Sequence, residues 1–306
     1  MSAASDQTPM NPIKIWWLAA RPATLTAALA PLAVGGALAY RDHVGAFLPW
    51  LAALAGALFI QLGTNFANDV FDFEKGADTA ARKGPMRVTQ AGLVSPGAVK
   101  RAMILAFGLA VLCGSFLVWR CGLPVVYIGL ASVAAGVLYT GGPWPLGYLG
   151  LGDVFVFAFF GVVAVVGTYF VQAGITSPDA YWWSVPVGAS CTAILVVNNL
   201  RDAETDVHVG KRTLAVRFGA RFVRAEYALT AVLAVGVPVA LAVRDRAWPL
   251  ALPLLALPAI FSSTRTVLQH SDGPTLNQAL GRTARWHLLV GLLVAVGLGL
   301  QRLLAS

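Results

Sequence analysis

NFANDVFDFEKGAD, residues 65–78, closes an uncharged run that begins at Val44 and then places Asp69, Asp72, Glu74 and Asp78 within ten residues. Carboxylates this close repel one another unless a cation joins them. NNLRDAETD, residues 198–206, repeats the arrangement at the end of another apolar run. On a helix, Asn65, Asp69 and Asp72 recur at i, i+4 and i+7, Asn68 lies four residues before Asp72, and Asn198, Asp202 and Asp206 recur at intervals of four. Each set therefore shares one polar face, whereas Glu74 and Glu204 turn roughly 200° away from the aspartate two residues before them.

The apolar runs that lead into these stretches decide the fold. Of 306 residues, 58% are hydrophobic and only 12% charged, with a mean hydropathy of +0.71. A soluble domain carries about a quarter of its residues charged. Crossing a hydrocarbon core of roughly 30 Å takes about 20 apolar helical residues. Nine apolar runs approach that length, at 23–40, 45–64, 102–119, 122–139, 154–172, 181–199, 227–243, 247–264 and 287–304, all free of charge except the last, which holds Arg302 near its end. They lack the alternation of a membrane barrel, and in lipid each segment must satisfy its own backbone. The expected fold is all-α: a polytopic bundle of about nine transmembrane helices, in two related halves around a central cavity. Residues 1–13 are polar and expected to be flexible, and residues 14–306 form one transmembrane domain. The run after Arg21 is read as a first membrane helix, not a cleaved signal peptide.

Basic residues set the orientation. With the N-terminus inside, 17 of the 22 Lys and Arg fall in cytoplasmic segments, so the N-terminus and both acidic stretches are expected in the cytoplasm. The net charge of +8 then reads as membrane topology, and nucleic acid is not an expected partner. The nine tryptophans fall at or near run ends, where amphipathic rings anchor at the lipid interface. The inner connections at 65–101 and 200–226 are long and charged, which places the chemistry on the inner face. Cys113, Cys121 and Cys191 lack metal-ligand spacing and read as packing residues. No feature sets an oligomeric state.

A single aspartate beside a membrane helix is ordinarily solvated surface. Two clusters with matched spacing hold seven of the chain's fourteen acidic residues, and that concentration points to a metal site. Carboxylate and amide oxygens without His or Cys suit a hard cation, Mg²⁺ above all, which takes its remaining ligands from water and substrate phosphates. Asn68, Asp69, Asp72, Asp202 and Asp206 are the expected ligands, with Asn65 and Asn199 beside them toward substrate. Lys75, Arg82, Lys83, Arg87, Arg201, Lys211 and Arg212 lie in the same segments as candidate diphosphate clamps, with Arg87, Arg201 and Lys211 preferred. Arg21, at the mouth of the first helix, reads equally as a contact for a substrate carboxylate or as an interface arginine snorkelling to the headgroups. YTGGPWPLGYLGLGD, residues 139–153, has no basic residue and reads as a glycine-rich loop packed against something flat or apolar.

NDVFD at 68–72, GPMRVTQAG at 84–92, YTGGPWPLGYLGLGD at 139–153 and NNLRDAETD at 198–206 together resemble the UbiA superfamily of membrane prenyltransferases. Within it the chain is most similar to the branch that prenylates 1,4-dihydroxy-2-naphthoate in menaquinone synthesis. The superfamily's NDxxDxxxD is met by Asn68, Asp69 and Asp72, with Gly76 at its last position and Asp78 two residues on. Asp202 and Asp206 meet its DxxxD, and a Tyr with Lys four residues on stands here as Tyr139 with Pro143. The resemblance implies polyprenyl diphosphate and an aromatic acid as substrates, Mg²⁺ as cofactor, a bacterial inner membrane as location, and loss of CO₂ to give demethylmenaquinone. Asp72, Asp202, Arg87, Arg201, Lys211 and Tyr139 are then the expected catalytic groups, and Phe66, Phe71 and Tyr139 the aromatic faces for an allylic cation. Homogentisate or 4-hydroxybenzoate remains open as acceptor. A cation-coupled transporter is disfavoured, because the acids stand at run ends and not at mid-membrane.

Overall fold

A computed structural model describes residues 10–76 and 84–305. Helices account for nearly all of it: α1 Pro12–Ala20, α2 Pro22–Arg41, α3 Phe47–Glu74, α4 Pro96–Cys121, α5 Leu123–Leu138, α6 Gly152–Val156, α7 Ala164–Ala173, α8 Pro178–His208, α9 Leu214–Arg244, α10 Leu257–Gln269 and α11 Gly273–Ala305. A π-helical segment, Phe157–Val163, joins α6 to α7, and a 3₁₀ segment, Trp248–Ala256, leads into α10. Among the described residues eight continuous helical stretches are long and apolar enough to cross a membrane, and α5 is a shorter apolar helix.

Local sequence explains most helix starts. Pro12, Pro22, Pro96 and Pro178 open α1, α2, α4 and α8, where a missing N–H costs nothing. Asn11, Ser95 and Thr213 each accept a bond from a backbone N–H of the first turn. Pro249 and Pro253 deny the Trp248–Ala256 stretch regular α bonding.

Helix α8 is the centre of the larger core. Trp183, Val187, Val196 and Val197 pack there with Val34, Val165, Tyr227, Leu276 and Trp286. It meets the π segment closely: a Cβ on Gly161 would lie 2.8 Å from Gly188 Cα and 2.9 Å from the Ser184 carbonyl, so only glycine fits that crossing. A second cluster, with Phe66, Val70, Val88, Val99 and Ala19, joins α1, α3, α4 and the 84–94 segment.

Two tryptophans depart from the interfacial expectation. Trp183 and Trp286 are 0% and 1% exposed and belong to the core, whereas Trp17, Trp119, Trp144 and Trp248 are exposed. Position near a run end does not reveal which side of a helix meets lipid. At the helix ends opposite the acidic stretches, Asp179 pairs with Arg41 at 2.7 Å and Arg244 at 2.9 Å, and Tyr169 donates to Asp42, fastening α2, α7, α8 and α9.

Candidate active site

Both acidic stretches continue membrane helices, the first helical through Glu74 and the second throughout. NFANDVFDFE forms the last turns of α3 and NNLRDAETD those of α8, so the polar faces read from spacing are rigid extensions of membrane helices, not loops. They line one cavity of about 820 Å³. Asn68, Asp72, Asn199, Asp202 and Asp206 stand at its polar end with Arg21, Arg87, Lys211 and Tyr139. Its body, between α2, α3, α4, α5 and α7, is walled by small and apolar residues such as Leu32, Gly56, Ile60, Gly114, Ile128 and Val171.

Asp72 is closely engaged. Only 1% exposed, it accepts Arg87 Nη2 on Oδ2 at 3.0 Å and the Tyr148 hydroxyl on Oδ1 at 3.0 Å, with Lys211 Nζ 3.7 Å from Oδ1. Three residues earlier, Asp69 turns elsewhere. Its Oδ1 accepts the Thr89 N–H at 3.1 Å and its Oδ2 the Val88 N–H at 3.3 Å, and it is not part of the cavity wall. Expected as a ligand, Asp69 instead holds the segment that carries Arg87. Asn68 lines the cavity and accepts from Thr140 Oγ1 at 2.9 Å. Asn65 donates to the Ala20 carbonyl and Thr24 Oγ1, both at 2.8 Å, and thereby ties α3 to the α1–α2 junction where Arg21 sits.

Arg201 also departs from expectation. Fully buried, it grips both oxygens of Asp202, Nε to Oδ1 at 2.8 Å and Nη2 to Oδ2 at 2.6 Å, and donates to Asn198 and Asn277 at 2.8 and 2.7 Å. Four of its five N–H bonds are committed within the protein, so it orients Asp202 more than it offers a phosphate clamp. Lys75 spends two N–H bonds on the Thr140 and Gly142 carbonyls, at 2.6 and 3.1 Å. Partial burial lowers its pKa, against the pull of Asp72 and with a smaller push from Lys211. An ammonium thus enters the loop that has Pro143 in place of a lysine. Glu74 pairs with Lys100 at the surface at 2.6 Å, in line with its turn away from the polar face. Asp78, Arg82 and Lys83 lie outside the described residues.

Of the aromatic faces expected around the site, only Tyr139 lines the cavity. Its hydroxyl lies near Gly152, where a Cβ would meet it at 2.9 Å. Phe66 is packed edge-on against Trp16 in the second core cluster, and Phe71 lies against Gly141. Their places are taken by Phe155 and Phe159, stacked at 5.9 Å, together with Phe160 and Tyr148. These come from segments with no polar spacing to mark them, and the aromatic density of 139–160 was the only sign.

Cavity-lining oxygen donors, Asn68, Asp72, Asp202 and Asp206, are of the type a hard cation takes. Among the described residues no three acids, histidines or cysteines form a ready-made cage. Mg²⁺ binds through one or two carboxylates and fills its octahedron from water and phosphate.

Residues 28–289 match the UbiA prenyltransferase family. The chain is 36% identical over 300 residues to the 1,4-dihydroxy-2-naphthoate octaprenyltransferase of Haemophilus influenzae, covering 94% of this chain and 96% of that one. It is 35% identical over 301 residues to the enzyme of the same name from Escherichia coli, with the same coverage. A UbiA homolog from Archaeoglobus fulgidus bound to DMAPP and Mg²⁺ shares the fold at a TM-score of 0.59 and 13% identity, over 92% of this chain and 99% of that one.

Proposed function

The chain belongs to the UbiA prenyltransferase family, and we propose that it transfers a polyprenyl group from a polyprenyl diphosphate to 1,4-dihydroxy-2-naphthoate, with loss of CO₂ and release of diphosphate, to give the quinol form of demethylmenaquinone. The observation that carries this reading is the two-part cavity: acids and cations at one end, and an apolar body sized for an isoprenoid at the other. Relatives over nearly the whole chain carry the naphthoate octaprenyltransferase name, which favours this acceptor over homogentisate or 4-hydroxybenzoate.

Asn68, Asp72, Asp202 and Asp206 would hold Mg²⁺. Bound there, the ion supplies Lewis-acid neutralisation of the diphosphate. Arg87 and Lys211 add positive charge beside Asp72 and stabilise charge growing on the diphosphate as the allylic C–O bond breaks. Tyr139, Phe155 and Phe159 present aromatic faces to the allylic cation. The ring carbon bearing the carboxylate attacks, and its bond to CO₂ breaks to restore aromaticity. Arg21, on the cavity wall, is placed to receive the acceptor's carboxylate. Residues 14–306 act as one transmembrane prenyltransferase domain in the bacterial inner membrane, and the bias of basic residues supports a cytoplasmic N-terminus and site.

Purified protein incubated with the naphthoate and diphosphates of several lengths gives, with Mg²⁺ and not without it, a prenylated, decarboxylated naphthoquinol, read by mass spectrometry as the quinol or its air-oxidised quinone. Turnover of another aromatic acid with none of the naphthoate overturns it.

A further inference from the structure

Tyr148 is the side chain on which the site's charged groups converge. Its hydroxyl donates to Asp72 Oδ1 at 3.0 Å, Lys211 Nζ lies 4.8 Å from its ring centroid, and Lys75 Nζ lies 5.1 Å from it. Two ammonium groups on one ring repel each other, and the electron-rich face of the phenol together with Asp72 offsets that repulsion. No spacing rule in the sequence marks this tyrosine, because its partners come from residues 72, 75 and 211.

The loop that carries it is fastened from both sides. Lys75 bonds the Thr140 and Gly142 carbonyls, and Gly147 N–H bonds the Tyr139 carbonyl at 3.0 Å. From the other side, Arg212 N–H donates to the Tyr148 carbonyl at 2.9 Å and Arg217 Nη2 to the Leu149 carbonyl at 2.8 Å. Gly150 adopts φ +74°, and a Cβ there would lie 2.6 Å from the Arg212 carbonyl, so the two loops meet backbone to backbone. Tyr148 is therefore a rigid bridge between the end of α3 and the loop that follows α8.

From this we infer that Tyr148 is a positioning residue for the diphosphate: its ring places the Lys211 ammonium, and its hydroxyl the Asp72 carboxylate, at the cavity wall, while Lys75 fastens the loop that holds it. The inference rests on the prenyl diphosphate reading above. It separates the two functional groups of one side chain. The ring sets affinity for the diphosphate, and the hydroxyl sets the geometry of Asp72 and with it turnover.

The test is direct binding of geranyl diphosphate with Mg²⁺ to protein in nanodiscs by calorimetry, alongside steady-state kinetics, for Tyr148→Phe and Tyr148→Leu. Tyr148→Phe keeps the ring, so affinity stays within about twofold while kcat falls about tenfold, the worth of one hydrogen bond to a carboxylate. Tyr148→Leu also weakens diphosphate binding about tenfold, from the loss of the cation–π contacts, with the KM for the naphthoate unmoved. A Phe variant with undiminished kcat overturns the role of the hydroxyl. A Phe variant that loses affinity as Leu does, or a folded Leu variant that binds like wild type, overturns the role of the ring. If Leu does not fold, Tyr148→Met takes its place with the same readouts, since it also removes the ring while filling similar space. Wild-type protein that binds no prenyl diphosphate refutes the functional reading itself, which no Tyr148 variant can mimic.

Discussion

Replacing Arg201 with methionine tests whether this arginine orients Asp202 or waits for phosphate. Its side chain is wholly buried and makes four hydrogen bonds, two to Asp202 and one each to Asn198 and Asn277. Methionine fills similar space and makes none of them. Removing one partner of a buried ion pair costs about 3–5 kcal/mol, because the remaining charge is left uncompensated. The two asparagine oxygens add about 1 kcal/mol each if they find no other donor. Against a stability on the order of 5–15 kcal/mol, the expected fall in thermal midpoint is on the order of 10 °C. Tryptophan fluorescence during thermal denaturation in detergent measures it, with kinetics of the folded fraction run in parallel. We expect a large drop in midpoint and in kcat, with a smaller change in KM for the diphosphate. Arg201→Lys recovers part of the midpoint, since it keeps the charge but lacks the fork that holds both carboxylate oxygens. An unchanged midpoint with a diphosphate KM raised more than about tenfold would refute the orienting role, because a group free to bind phosphate leaves the folded protein intact without it.

Three further outcomes follow from the same geometry. Asp69→Ala removes the acceptor of the Val88 and Thr89 N–H groups and costs about 2–4 kcal/mol; limited proteolysis will show faster cleavage near Arg87, and an unchanged digestion pattern contradicts the clamp. Gly161→Ala forces backbone apart where α8 crosses the π segment, with an expected loss of about 1–3 kcal/mol in stability and reduced activity, since α8 carries Asp202; wild-type stability would mean the crossing relaxes freely. Chelation with EDTA abolishes transfer and added Mg²⁺ restores it, as an all-oxygen site requires, and turnover undiminished after chelation removes the metal from the mechanism.

The polar faces were legible because helix periodicity is fixed. Asn68 and Asp72, and Asp202 and Asp206, each four residues apart, line one cavity wall as their spacing requires. Asp69 shows what periodicity leaves undecided. It sits only about 60° round the helix from Asp72, an arc that periodicity treats as one face. That rotation is enough to point it at the backbone of residues 88 and 89 and not into the cavity. Arg201, which also lines the cavity, marks a different limit of the sequence. A long side chain on the same helix as its acid folds back onto it, and nothing in a one-dimensional pattern separates that from a cation turned to solvent. Phe155, Phe159 and Tyr148 entered the site only once their segments had a place in space.

What the sequence determined by itself was the membrane bundle and the two acidic faces. Lipid offers backbone no hydrogen bonds, so each span must be a continuous apolar helix whose length can be read directly, and a helix must repeat every 3.6 residues. Tertiary structure alone decided which oxygens face the cavity and which cations stand beside them. Asp72 takes its neighbours from residues 87, 148 and 211, and charges that meet across such separations are selected by packing, where the low dielectric of the interior makes each pairing strong and each mispairing costly.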